Sequence, residues 1–106
     1  MEVKTTHHID AGDKDSQGRY QYYYEYDVFC FTDGEIALTV RSYVDSEKEA
    51  HFLRLESAGQ SRMLSDSDLA HPLFAESVCY LQKIGKEEIK WLSGRGNGYE
   101  PVMRED

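Results

Sequence analysis

Thirteen consecutive residues, Tyr20 to Thr32, run Tyr-Gln-Tyr-Tyr-Tyr-Glu-Tyr-Asp-Val-Phe-Cys-Phe-Thr without a proline or glycine, and Asp33-Gly34 follows at once. Rings and β-branched side chains suit a pleated, half-buried surface, so the run predicts a β-strand. Asp-Gly suits a two-residue type I′ turn, whose central residues both need positive φ. A second strand, Glu35 to Asp45, then returns antiparallel. Setting Thr32 opposite Glu35 and counting outward divides the hairpin into two faces. One pairs Phe31 with Ile36, Phe29 with Leu38 and Asp27 with Val40, which is a core face. The other pairs Cys30 with Ala37, Val28 with Thr39, Tyr26 with Arg41, Tyr24 with Tyr43 and Tyr22 with Asp45, which is aromatic and amphipathic.

Beyond the hairpin, Ser46-Glu47-Lys48-Glu49 has the spacing of a capping box and predicts a single helical turn. A short third strand, His51 to Ser57, alternates so that Leu53 and Leu55 point to the core while Phe52, Arg54 and Glu56 join the tyrosines. Opposing Arg41 to Glu56 and Tyr43 to Arg54 gives favourable cross-strand pairs. Ser65-Asp66-Ser67-Asp68 offers N-cap oxygens, and Leu69, Ala70, Leu73, Phe74, Val78, Leu81 and Ile84 form one face of a helix starting at Asp68 or Pro72 and stopped by Gly85. Residues 86–92 are expected to be a strand, since Ile89 and Trp91 alternate. Tyr99 to Met103 forms an edge strand at most, because Pro101 cannot donate to a ladder. Residues 1–19, glycine-containing and poor in large apolar side chains, read as a mobile arm or loosely attached strand before a single domain over 20–106. The expected class is α+β: an antiparallel β-meander of three to five strands with one main α-helix packed on one face.

The 106 residues carry twenty acidic and twelve basic side chains, a formal charge of −8. Such a chain repels phosphate, so nucleic acid and anionic membranes are not expected partners, whereas a basic protein would be drawn to it. Exposed aromatics and arginines on a sheet also suit single-stranded RNA, but the basic rim that RNA needs is missing. No run approaches eighteen apolar residues, and the first eight residues lack the apolar centre of a signal peptide, which predicts a soluble, cytoplasmic protein. Cys30 and Cys79 are too few for a disulfide scaffold or a four-cysteine zinc site. His7, His8 and Asp10, with His51 or His71, contain metal-ligand types, yet adjacent histidines on an extended segment point apart, so no metal or other cofactor is expected. Gly94-Arg95-Gly96-Asn97-Gly98 matches neither dinucleotide nor P-loop spacing and reads as a hairpin loop. Cys79, one turn before Lys83, has no base or oxyanion donor placed by any local motif, so no catalytic residue is assigned.

What remains is the face bearing Tyr22, Tyr24, Tyr26, Arg41, Tyr43, Phe52 and Arg54. Tyrosine, phenylalanine and arginine are enriched at protein interfaces because a rigid ring buries much area for little lost rotamer freedom. Either the protein's own first segment or tail lies across these rings, or they meet a partner. The leading expectation is a non-enzymatic interaction module, acting as a homodimer or as an acidic inhibitor or regulator of a basic protein. The alternative is a small enzyme or ligand-binding protein with its pocket at a subunit interface, lined by Tyr24, Arg41, Tyr43 and His51.

Overall fold

The computed structural model describes residues 1–96 and 98–102. Seven strands and one main helix form the α+β architecture: β1 (Glu2–Ala11), β2 (Tyr23–Thr32), β3 (Ile36–Tyr43), β4 (Glu49–Ser57), β5 (Gln60–Arg62), α1 (Pro72–Lys83), β6 (Glu88–Leu92) and β7 (Tyr99–Pro101). The sheet runs β1-β2-β3-β4-β6-β7, with β5 hairpinned beside the end of β4. The strand count exceeds the expected three to five. All pairings are antiparallel except β4 with β6, which lie parallel because α1 carries the chain between them. Asn97 of the glycine loop and Met103 of the expected edge strand lie outside the described residues.

The central hairpin keeps its two faces but not its turn. Thr32 pairs with Ala37 rather than opposing Glu35, leaving a four-residue connection. Side chains there do the work of a tighter ladder. Asp33 Oδ1 accepts from the backbone N–H of Glu35 (2.9 Å) and Ile36 (3.0 Å), Thr32 Oγ1 donates to the Ile36 carbonyl at 3.0 Å, and Gly34 takes the positive φ of +95°. The slip is two residues, and side chains alternate with period two, so Phe29 and Phe31 still face the core with Leu38 and Val40.

The third strand departs further. Thr39 pairs with Arg54 and Val40 with Phe52, so Leu53 is the extra residue of a β-bulge. The bulge reverses the alternation expected for the first half of β4. Phe52 is fully buried against Phe74, their ring centres 4.5 Å apart, and His51 turns to the face of Arg41. Arg41 therefore opposes His51 instead of Glu56.

One side of the sheet is covered by α1. His71 caps the helix through Nδ1, which accepts from Leu73 N–H at 3.1 Å, and Pro72 fills the first turn, where no N–H is needed. At the other end Lys86 N–H bonds the Leu81 carbonyl and Gly85 N–H that of Gln82, with Gly85 at φ +101°. Leu73, Phe74 and Leu81 pack onto Phe31, Leu38, Val40, Phe52, Leu55, Ile89 and Trp91. Each large side chain so removed from water contributes about 1.5–3 kcal/mol. The link between β3 and β4 holds the expected single turn as a 3-10 turn at Val44–Ser46, slightly earlier than the capping-box spacing placed it, and the residues before α1 form a second at Asp66–Ala70.

Within residues 1–19, expected to be a mobile arm or a loosely attached strand, residues 2–11 form β1. They pair with β2 without a break, from Glu2 opposite Thr32 to Ala11 opposite Tyr23. Ten paired residues extend the sheet sideways, with Val3 packed against the core and the other nine exposed.

Candidate protein-interaction face

The side of the sheet away from α1 carries a connected band of rings. Tyr22 contacts Tyr24 and Tyr24 contacts Tyr43, both at 6.0 Å between centres, Tyr43 meets Tyr26 edge-on at 5.7 Å, and His8 stacks on Tyr26 at 5.3 Å. Register explains each neighbour. Tyr26 lies between Tyr43 on β3 and His8 on β1, so three rings share one row across the strands. Tyr22 precedes β2 and reaches the band because its backbone carbonyl holds Gly12 N–H at 3.0 Å. A Cβ at Gly12 would sit 2.8 Å from the Tyr22 ring, so only glycine admits that approach.

Arg41 ties the band to the other edge of the sheet. Its guanidinium lies 4.8 Å over the Tyr43 ring and donates through Nη2 to the Tyr99 hydroxyl at 3.3 Å, while Tyr99 packs on His51 at 4.7 Å. Arg41 Nε is buried without a hydrogen-bond acceptor among the described residues. The ring contacts therefore keep the guanidinium in a fixed plane at a cost in solvation. Burial pushes the His51 imidazole below its usual pKa, Glu49 opposes that shift, and Lys90 and Arg41 add to it.

Among the residues assigned to this surface from sequence, Tyr22, Tyr24, Tyr26, Arg41 and Tyr43 form one contact chain. Arg54 keeps the face but makes its ion pair with Glu56 at 3.6 Å. Phe52 does not belong, because the bulge at Leu53 sends it into the core. His8 and Tyr99 were missed, and His51, expected beside Tyr24, Arg41 and Tyr43 only as the lining of a subunit-interface pocket, packs on Tyr99 next to Arg41. The adjacent apolar pair Phe52-Leu53, which breaks strict alternation, was the available sign of a bulge; nothing local linked Tyr99 or His8 to Tyr26 and Arg41.

β1 lies beside the rings and does not cover them, so Tyr22 and Tyr24 stay about half exposed, at 47% and 51%. At the lower end of the band a cleft of about 160 Å³ opens beside Tyr24, Tyr43, Val44 and Asp45, bordered also by Tyr23 and by Glu25, whose carboxylate is held by His7 on the other side of the sheet. That volume is below the roughly 300–1,000 Å³ of sites that enclose whole small molecules, and it matches a single side chain. The Asp45 carboxylate and the ring faces together favour a cation.

The other histidines and cysteines are arranged differently. His7 lies on the opposite side of β1 from His8, its Nδ1 at 2.6 Å from Asp27 and its Nε2 at 2.7 Å from Glu25. A ring that donates from both nitrogens is the imidazolium, and the hydrogen bonds to Asp27 and then Glu25 raise its pKa above the ordinary value. Among the described residues no three His, Cys, Asp or Glu side chains are grouped to hold a metal ion, and no helix is long and apolar enough to cross a membrane. Cys79 is exposed in a shallow depression whose lining includes Glu76, Tyr80 and Lys83 and no histidine. No protein-family model matches the chain, and neither curated proteins nor solved structures include one similar to it.

Proposed function

We propose that this chain is a protein-interaction module that docks a basic protein on its tyrosine face, with one lysine or arginine side chain of the partner entering the cleft between Tyr24 and Tyr43. The observation that carries the reading is that cleft, where the Tyr24 and Tyr43 rings and Asp45 line one opening of side-chain size. The surroundings agree. A formal charge of −8 draws cationic partners by long-range attraction, and the rigid rings give contact area at low entropic cost. Lys14 already lies 5.2 Å from the Tyr20 ring and Arg41 covers Tyr43, so the molecule uses the same recognition internally.

The test is a nuclear magnetic resonance titration with a lysine-rich peptide and with the same peptide acetylated at every ammonium. The charged peptide is expected to shift the ring signals of Tyr24 and Tyr43 first, and Asp45→Asn or Tyr24→Ala should weaken it roughly two- to five-fold, as expected when one exposed cation–ring contact of about 0.5–1 kcal/mol is lost. Equal shifts from the acetylated peptide, or shifts confined to the helix side, would overturn the proposal.

A further inference from the structure

We infer that two copies of the chain join edge to edge through β1, running antiparallel, so that their tyrosine faces lie side by side on one continuous sheet. The two edges of the sheet are built differently. At one, β7 has three residues and ends on Pro101, and the neighbouring β5 also has three. Shortness and proline are the devices by which sheets avoid pairing with other chains. At the other, β1 presents ten residues with no proline and with an unbroken register to β2. Its outer row of N–H and C=O groups has no further strand beside it among the described residues.

The sequence of β1 is self-complementary in one register. With a two-fold axis at His7, Lys4 of each copy opposes Asp10 of the other, Thr5 opposes Ile9, Thr6 opposes His8, and the two His7 rings face each other, each bonded to Asp27 and Glu25 of its own copy. Shifting the axis to Thr6 would set Glu2 against Asp10, two like charges. Shifting it to His8 removes the Lys4–Asp10 pairs, setting Asp10 against Thr6 and Ile9 against His7. Ile9 is 58% exposed in the single chain, on the side away from the tyrosines, and the His7-centred register gives it Thr5 to pack on. Two chains of charge −8 repel each other at long range. The two Lys4–Asp10 pairs across the seam offset part of that repulsion at close range. A two-fold pairing uses the edge up completely, so assembly stops at two copies.

This inference concerns an edge and stands apart from the cleft at Tyr24 and Tyr43. Its test is the mass in solution by light scattering, with a charge swap across the seam. The wild-type chain is expected at twice its monomer mass. Lys4→Glu should weaken association on the order of ten-fold by placing like charges opposite each other twice, and Lys4→Glu combined with Asp10→Lys should restore it. Circular dichroism checks that each variant is folded. A monomer mass at all concentrations, a dimer indifferent to Lys4→Glu, or a dimer lost on Tyr43→Ala but kept on Lys4→Glu would overturn the inference. Titration of the lysine-rich peptide onto a monomeric Lys4→Glu variant reads the cleft by itself, so the two proposals fail separately.

Discussion

Two histidines on opposite faces of the sheet carry opposite signs of pH dependence. His7, donating to Asp27 and Glu25, has a folded pKa above its unfolded value near 6.5, so its stabilisation is complete below that pH and disappears as pH rises through the folded pKa. His51, shielded by Tyr99 and neighboured by Lys90 and Arg41, is depressed, so its contribution is present above about 6.5 and lost as pH falls through its folded pKa. The two windows lie on either side of 6.5. Thermal melting is therefore expected to show a shallow maximum near that pH, with His7→Gln flattening the alkaline side and His51→Gln the acidic side. Melting curves between pH 5 and pH 8 check this; a His7→Gln variant that keeps the alkaline slope would show that its carboxylate contacts do not hold in solution.

At the scale of elements, the bulge in β4 is an insertion that the sheet absorbs. On either side of Leu53 the pairs Val40–Phe52 and Thr39–Arg54 are consecutive on β3, so removing Leu53 leaves a regular ladder with Phe52 and Leu55 still facing the core. Deletion of Leu53 is expected to lower stability by only about 1–2 kcal/mol, within the common range for single changes. Deleting Thr39 instead takes one residue from the middle of β3, where no bulge compensates, and reverses the faces of half the strand. That chain is not expected to fold. Urea denaturation of the two deletions measures the contrast, and equal losses would show that the bulge does not set the alternation of β4.

For the whole molecule, β1 and Trp91 mark opposite sides of one sheet. Trp91 is the single tryptophan, buried beneath Arg95, whose guanidinium lies 5.6 Å from its ring and also pairs with Asp66 and Glu100. If β1 belongs to the same cooperative unit, tryptophan fluorescence and far-ultraviolet circular dichroism will follow one urea transition, with a slope of about 1–3 kcal/mol/M. A loose arm would instead exchange its amide hydrogens from Thr5 to Ile9 far faster than those of β3. Hydrogen exchange under native conditions distinguishes these outcomes.

Local chemistry was sufficient for what depends on neighbours in the chain. The aromatic run could only be a strand, Asp33-Gly34 only a turn, and His71-Pro72 with Gly85 bounded the helix, because rings, glycine and proline restrict the backbone wherever they stand. The two faces of the hairpin also followed, since alternation survives any slip of two residues. Tertiary structure decided the rest. Leu53 bulged so that Phe52 could meet Phe74, and the helix crossover laid β6 parallel to β4 and brought Tyr99 to Arg41. These choices depend on the free energy of contacts between residues far apart in sequence, and no local pattern of side chains encodes which distant partner will be there.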